Sequence, residues 1–570
     1  MRWDCSRCKV QLKNFLIGRF RLFAVIVLLI GLQTRLNPTL PVVAQSGGTG
    51  IVGTPVTLAS KRVVNFADEA RREASNPRTS QAPVAVHSPA HVKEPSAPPS
   101  SRAPQVVLPA QPRVASPLPA ASFQAVEDTL NIIPPDTTGA VGVDHLVTTL
   151  NSQVRIQDKN GTTISSVALS TFWGFAGVFD PRVVYDPFYH RWIHIVVFGA
   201  ASANSALCIA ISQTNLPTGV WNLYCIDVDS TNTLWADYPQ VGFNKDWIVV
   251  SMNMFPINTG SPRGQIYAFN KTSLYAGVFE AYFWNSIDVP YPVSPAVTYD
   301  NTLANENLIQ HGNSGGGVIY KHVITGSPPG APTLSSSGLP VNSQLGPWSV
   351  PDFPSGQVLP QAGGANMIEI IDARMMNAVV RTVGGVTSLW CAQDIALPAG
   401  GSPTHWAVQW WQLDADPAST WIYQQGRIED PTATQANGGY HYAYPSLAVN
   451  QYGDMMIGFS RFSSAEYASG AYAFRYSTDI ANTTRDPVVF KAGEGHYFKT
   501  FGKGRNRWGD FSNTVIDPMG DVNFWTIQEY AAAPVGVGDG SGRWGTWWGM
   551  VKLSDTIPST HFFPVIQKNP

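Results

Sequence analysis

Four segments of the 570-residue chain share one pattern: a proline, a short apolar run, then an Asp or Asn turn. They are Asp180-Pro181-Arg182-Val183-Val184-Tyr185-Asp186, Tyr238-Pro239-Gln240-Val241-Gly242-Phe243-Asn244, Ser294-Pro295-Ala296-Val297-Thr298-Tyr299-Asp300 and Tyr444-Pro445-Ser446-Leu447-Ala448-Val449-Asn450. Three of the turns lead into a second apolar strand, at Trp192–Phe198, Trp247–Met252 and Met455–Phe459. A copy without the proline is Gly509-Asp510-Phe511-Ser512-Asn513-Thr514-Val515-Ile516-Asp517, followed by Val522–Ile527. The first three prolines lie 58 and 56 residues apart, and the 150 residues from Pro295 to Pro445 leave room for two or three further units. Asn366–Asp394 supplies one pair of strands there, and Pro134–Ile164 reads as an opening unit. Proline is tolerated at the first residue of a strand, where no ladder donor is lost. A repeated small sheet cannot bury both faces alone, so its copies must stack, and radial closure is the economical solution. The expectation is an all-β chain with a β-propeller of about seven blades over residues 122–570. A pair of β-sandwich domains explains the strands but not the recurring phrase.

Composition narrows the classes further. Only 13% of residues are charged, against about 25% in an ordinary soluble domain, while there are 18 Trp, 20 Tyr, 26 Phe, 50 Gly and 44 Pro. So aromatic a chain with a net charge of −2 is neither disordered nor a typical nucleic-acid binder. The Gly and Pro content excludes a coiled coil. The charge is also divided: residues 1–121 hold 15 basic and 5 acidic side chains, leaving 22 basic and 34 acidic for the rest.

The basic N-terminus has the order of an export signal. Arg2, Arg7, Lys9, Lys13, Arg19 and Arg21 precede the apolar run Leu22–Leu32, and Val42 and Ala44 provide a small-x-small exit. Residues 1–44 are therefore expected to be a signal peptide or, if uncleaved, an N-terminal membrane anchor, and the protein to be secreted or held in the cell envelope. Eleven prolines between Pro77 and Pro119 favour extended polyproline II. Residues 45–121 are expected to form a disordered Pro/Ala/Ser-rich linker or stalk, with at most a short surface helix over Asn65–Ser75.

Cys208 and Cys225 flank the turn Asn215-Leu216-Pro217-Thr218-Gly219 almost symmetrically, so a hairpin would set them opposite each other. Either a disulfide or two buried thiols satisfies that placement. Cys391 is left over and is expected to be buried beside Trp390.

Pro134-Pro135-Asp136-Thr137-Thr138-Gly139-Ala140-Val141-Gly142, Trp235-Ala236-Asp237-Tyr238-Pro239, Arg507-Trp508-Gly509-Asp510-Phe511-Ser512 and Phe524-Trp525-Thr526-Ile527-Gln528-Glu529-Tyr530 together resemble a group of uncharacterised secreted bacterial proteins with a sialidase-like propeller. The resemblance covers about residues 130–555 and implies fold and export more than activity. The Asp-box pattern of sialidases is absent, and no arginine triad can be assigned.

Aspartates recur where blades would begin: Asp136, Asp180, Asp237 and Asp510. On the first strands of successive blades they would converge at one mouth of the central channel. Such a ring suits three roles. It can cap backbone amides and lock blades together, hold a hard cation such as Ca²⁺, or, with Glu529, supply the raised and ionised carboxyls of acid–base chemistry. The candidate metal ligands are thus Asp136, Asp180, Asp237 and Asp510, and the candidate catalytic residues Asp180, Asp237 and Glu529. Trp406, Trp410, Trp411, Trp421, Trp544, Trp547 and Trp548 can stack on sugars or partners, although packing between blades accounts for most of them. No HExxH and no Gly-x-x-x-x-Gly-Lys-Ser/Thr pattern occurs. The functional expectation is an exported, monomeric propeller that binds an extracellular carbohydrate or protein without catalysis. The alternative is a glycoside hydrolase or lyase with its carboxylates at the channel mouth.

Overall fold

The computed structural model describes residues 50–76, 84–85 and 114–553, except 286–288, 313–315, 351–355, 365 and 401. The expected signal segment and most of the proline-rich stretch lie outside the described residues.

From Thr138 onward the chain builds antiparallel sheets one after another. Blade 1 comprises Thr138–Val141, His145–Thr149, Gln153–Asp158 and Thr163–Ala168. Blade 2 comprises Val178–Asp186, Arg191–Phe198, Ala206–Ser212 and Val220–Asp227, and blade 3 Leu234–Phe243, Trp247–Pro256, Arg263–Asn270 and Ala281–Trp284. Blade 4 is Val293–Thr298, Glu306–His311 and Val318–Thr325, whose outer edge pairs with both Thr333–Leu334 and Leu339–Asn342. Blade 5 runs through Met375–Val383, Val386–Leu397, His405–Asp414 and Ile422–Ile428, and blade 6 through His441–Val449, Met455–Ser463, Glu466–Arg475 and Val488–Lys491. Blade 7 contributes Asn513–Ile516, Phe524–Ala532 and Arg543–Val551. Its fourth strand is Ala121–Glu127, which precedes blade 1 in sequence and pairs antiparallel with Arg543–Val551.

The first strand of every blade lies innermost, beside the first strands of its neighbours. Phe243 pairs in parallel with Val297, and Ala296, Val297 and Thr298 pair with Ala378, Val379 and Val380. Further contacts between first strands run from blade 5 through blades 6, 7 and 1 to blade 3 and close the circle. Among the described residues the protein is a seven-bladed β-propeller. The short apolar run of the repeated phrase is the axial strand, which explains its low polarity: a strand with neighbours on both sides and sheets stacked around it reads as continuously hydrophobic.

One part of the expected linker is folded, which corrects the reading of residues 45–121 as disordered. Ser60–Asn65 is a fifth strand on blade 2, Thr54–Pro55 pairs with the last strand of blade 3, and Ile51–Val52 pairs with Thr333–Leu334 of blade 4. Edge strands need bury only one face and take most of their stabilisation from a waiting ladder, so their own sequence is weakly patterned. Val64 points inward, while Val63 is 55% exposed. The helix Phe66–Ser75 follows, with Asn65 accepting the Asp68 N–H as its N-cap. It is more than a surface element, since Phe66 is fully buried and its ring lies 5.7 Å from that of Phe172. Further on, Ser116 runs along blade 6: its hydroxyl accepts the Phe474 N–H at 2.9 Å and donates to the Asp486 carbonyl at 2.7 Å.

The spaces between blades are filled with aromatic side chains. Trp192, Trp247, Trp410, Trp411, Trp525, Trp544 and Trp548 are fully buried, whereas Trp421 is exposed. Cys208 and Cys225 are directly opposed in blade 2 and joined as a disulfide, and Cys391 is a buried thiol. Blades 2 and 3 are also tied by a buried ion pair. Lys271 Nζ, on the helix Lys271–Tyr275, lies 2.8 Å from Asp186 Oδ2 and donates to the Asn244 carbonyl, while the Tyr275 hydroxyl donates to the same carboxylate.

Candidate functional site

The axial strands of blades 1, 2, 3 and 6 begin with a backbone kink. Asp136, Asp180, Tyr238 and Tyr444 all have φ between 51° and 59°. In blades 2, 3 and 6 the strand pairing skips at that point, between Phe179 and Arg182, Asp237 and Gln240, and Ala443 and Ser446. A left-handed residue ahead of a proline is doubly disfavoured, so something must hold it. Side chains of the neighbouring blade do so. Asp180 Oδ2 accepts the Tyr238 N–H at 3.0 Å, Asp394 Oδ1 accepts that of Tyr444 at 3.0 Å, and Asn151 Oδ1 accepts that of Asp180 at 2.8 Å. At the junction of blades 7 and 1, Asp136 Oδ1 accepts the Asp510 N–H at 2.9 Å, and Asp136 Oδ2 accepts from Asn151 at 2.6 Å.

The candidate residues Asp136, Asp180, Asp237, Asp510 and Glu529 are brought together at this end of the channel, each at most 4% exposed. Burial, and then the charge of neighbouring aspartates, pushes the Asp136 and Asp180 carboxyls well above the usual range. Asp237 is pushed up to about 8, first by burial and then by Asp510, with Arg507 and Arg374 opposing. Glu529 is raised chiefly by burial, although its Oε1 accepts from the Thr137 hydroxyl at 2.7 Å. Asp237 Oδ1 and Glu529 Oε2 are buried without a hydrogen-bond partner. Gly509 lets Glu529 approach closely, because a Cβ in its place would stand 2.7 Å from Glu529 Oε1.

Three arginines and their own acids complete the cluster. Arg374 binds Asp372 with two hydrogen bonds of 2.7 and 2.9 Å, Arg505 donates to Glu369 at 2.9 Å, and Arg507 pairs with Asp510. Aromatic rings lie against Arg374 and a fourth arginine, Arg182. The Tyr238 and Phe511 rings are 4.9 Å apart, Arg374 lies 4.1 Å from the centre of Tyr238, and Arg182 lies 4.3 Å from that of Phe511. Leu359, Ile368, Ile370 and Ile371, ahead of blade 5, join Tyr497 and Trp508, ahead of blade 7, in the same apolar cluster. The carboxylates thus lie beneath an aromatic plug. Among the described residues no group of three or more His, Cys, Asp or Glu side chains is arranged to hold a metal ion. Sequence reading missed Asp394, Asp372, Arg374 and Glu369, whose segments lack the repeated phrase. Arg507 stands inside a quoted motif and was within reach.

A cavity of about 270 Å³ occupies the axis, and none of the five candidate carboxylates lines it. Its wall is built from first strands: Val141, Val184, Val241, Val297, Val379 and Val515, with Arg182, Gln240, Asn377 and Asn513 among them. Tyr299, Phe188, Pro518, Arg381 and Asp521, at or beyond the C-terminal ends of those strands, complete it. Arg381 and Asp521 form an ion pair, and Arg381 lies 5.3 Å from the centre of the Tyr299 ring.

With ring, plug and cavity in place, the class is that of an axially cavitied seven-bladed propeller. No family model and no curated protein matches the chain. Solved structures similar to it include a thermostable family-43 glycoside hydrolase (11% identity, covering 67% of this chain and 91% of that one, TM-score 0.28). Another is an ulvan lyase of polysaccharide lyase family 25 (8% identity, covering 69% and 92%, TM-score 0.33). A third is the sialidase of Trypanosoma rangeli (9% identity, TM-score 0.30), where 70% of this chain spans 56% of that one. Among the described residues no helix is long and apolar enough to cross a membrane.

Proposed function

We propose that this chain is an exported carbohydrate-binding propeller that takes a saccharide unit into its axial cavity. The observation that carries this is the lining: the rings of Tyr299 and Phe188 beside Asn377, Asn513, Arg381 and Asp521, around about 270 Å³. Aromatic faces with a few converging planar polar groups suit a sugar ring, which presents apolar C–H faces and a rim of hydroxyls. A glycan array with the purified protein, followed by titration of the best ligand, tests this reading. Binding weakened by Asn377→Ala and Tyr299→Ala is the expected result. Glycan binding untouched by both substitutions would move the site elsewhere.

A second reading, hydrolysis or elimination at the carboxylates Asp180, Asp237 and Glu529, is favoured by one observation. Asp237, pushed up to about 8, retains its proton at neutral pH and has an oxygen free of protein partners, as a general acid requires. It needs the aromatic plug to open before a glycosidic bond can approach. Release of reducing ends or unsaturated products from polysaccharides, lost in Asp237→Asn and Glu529→Gln, would establish it. Activity unchanged in both variants would remove it.

A further inference from the structure

Arg182 and Gln240 occupy matching places in neighbouring blades, each two residues after the left-handed residue that opens its strand, Asp180 or Tyr238. Both line the axial cavity, and they are only 5% and 2% exposed. Arg182 Nη1 and Gln240 Nε2 have no hydrogen-bond partner. A buried donor left unpaired is costly, and more so when it is charged. Two such donors on residues that border one cavity are therefore a chemical specification. Both ask for an acceptor, and one asks for negative charge.

The surroundings, Tyr238, Asp180 and Asp136, answer that charge only in part, since burial still outweighs them. Burial pulls Arg182 down only to about 10, so it remains a cation at neutral pH. Asp180 and Asp136 are the carboxyls that act on it, and burial drives both toward the neutral acid. The Phe511 ring, 4.3 Å from the guanidinium, flanks it without accepting a conventional hydrogen bond.

We infer that the cavity is an oxyanion site, in which a carboxylate or sulfate group carried by the ligand is held between Arg182 Nη1 and Gln240 Nε2. The inference rests on the carbohydrate reading of the same cavity and narrows it: the saccharide is an acidic one. A neutral sugar hydroxyl satisfies either donor but leaves the guanidinium charge unmatched. A carboxylate or sulfate oxygen pair meets both, and charge-assisted bonds are about twice as strong as neutral ones.

Calorimetric titration of the full chain with sodium glucuronate, sodium sulfate and methyl glucoside, at one fixed ionic strength, tests it. Glucuronate is expected to bind one to one, at least about tenfold tighter than methyl glucoside. Gln240→Glu, which sets a second negative charge against the anion, is expected to abolish that preference so that the two sugars bind alike. Arg182→Gln should do the same; should that variant fail to fold, Gln240→Glu and Gln240→Leu carry the test. Equal binding of the two sugars by the unaltered protein, or a preference that survives Gln240→Glu, overturns the oxyanion site and leaves the carbohydrate reading standing. Sulfate binding without either sugar keeps the oxyanion site and overturns the carbohydrate reading. Silence with all three probes overturns both.

Discussion

Asp180, on blade 2, accepts the backbone N–H of Tyr238, on blade 3, through its Oδ2 at 3.0 Å. The residue that opens one strand is thereby tied to the residue that opens the next, 58 positions later, and both have positive φ. Carboxylates also accept a backbone N–H of the neighbouring blade at Asp394, from Tyr444, and at Asp136, from Asp510. Acidic residues that recur with the blades thus serve first as fasteners between them.

Removal of that fastener has a directional consequence. Asp180→Ala leaves the Tyr238 N–H buried and unpaired and should lower unfolding free energy by about 1–3 kcal/mol. Asp180→Asn retains an acceptor oxygen in the same place and should cost much less. Urea unfolding of the two variants provides the comparison, and equal losses would show that the carboxylate does not act through this bond.

Stability should fall as pH rises through neutrality. Asp237 ordinarily titrates near 3.8 and is pushed up to about 8 in the folded protein. The folded state therefore holds this proton more tightly than the unfolded chain. The stabilisation is fully present below about pH 4 and declines by at most about 1.4 kcal/mol per unit until it is lost above about pH 8. Asp237→Asn should flatten the dependence and be relatively more stable at about pH 8 than at about pH 5. Denaturant midpoints at those two pH values read the difference directly. Glu529, Asp136 and Asp180 are shifted the same way, so a reduced slope, not a zero one, is expected.

Loss of the disulfide should act on blade 2 alone. Cys208 and Cys225 are 17 residues apart, and a closed loop of that length restricts the unfolded chain by about 3 kcal/mol. The Cys208→Ser/Cys225→Ser double variant should unfold earlier by about that amount. Hydrogen exchange should quicken first in Ala206–Ser212 and Val220–Asp227.

The buried pair of Lys271 and Asp186 should be costly to break from one side. Lys271→Met leaves the Asp186 carboxylate, 0% exposed, without its cation and should destabilise by about 3–5 kcal/mol. Adding Asp186→Leu to it should restore part of that loss, because an apolar pair of similar size needs no counter-charge. Thermal unfolding of the single and double variants distinguishes an ion-pair effect from simple loss of packing.

The ring of blades was legible because the axial strands share a short apolar run, which in blades 1, 2, 3 and 6 follows a left-handed residue. Asp136, Asp180, Asp237, Asp510 and Glu529 were legible as a cluster for the same reason. Their covering was not. Leu359, Ile368, Tyr497 and Trp508 come from segments with no period, and they meet only because blades 5 and 7 both begin there. Ser60–Asn65 escaped because an edge strand borrows its order from the sheet it joins. Arg182 and Gln240 were written in the phrase itself, but whether a donor finds a partner is a property of three-dimensional packing.

The outer strands Ile51–Val52, Thr54–Pro55 and Ser60–Asn65 serve blades 4, 3 and 2 in that order, so this stretch runs against the order in which the blades are made. Ala121–Glu127 likewise waits for Arg543–Val551. The earliest of these segments to emerge during synthesis therefore has its partner strand appear last among the three, and the ring cannot close until Arg543–Val551 has been made. Closure of this propeller waits on its last blade by topology alone, and a chain shortened before Arg543 would leave Phe524–Ala532 as an open edge and Ala121–Glu127 with no strand to join.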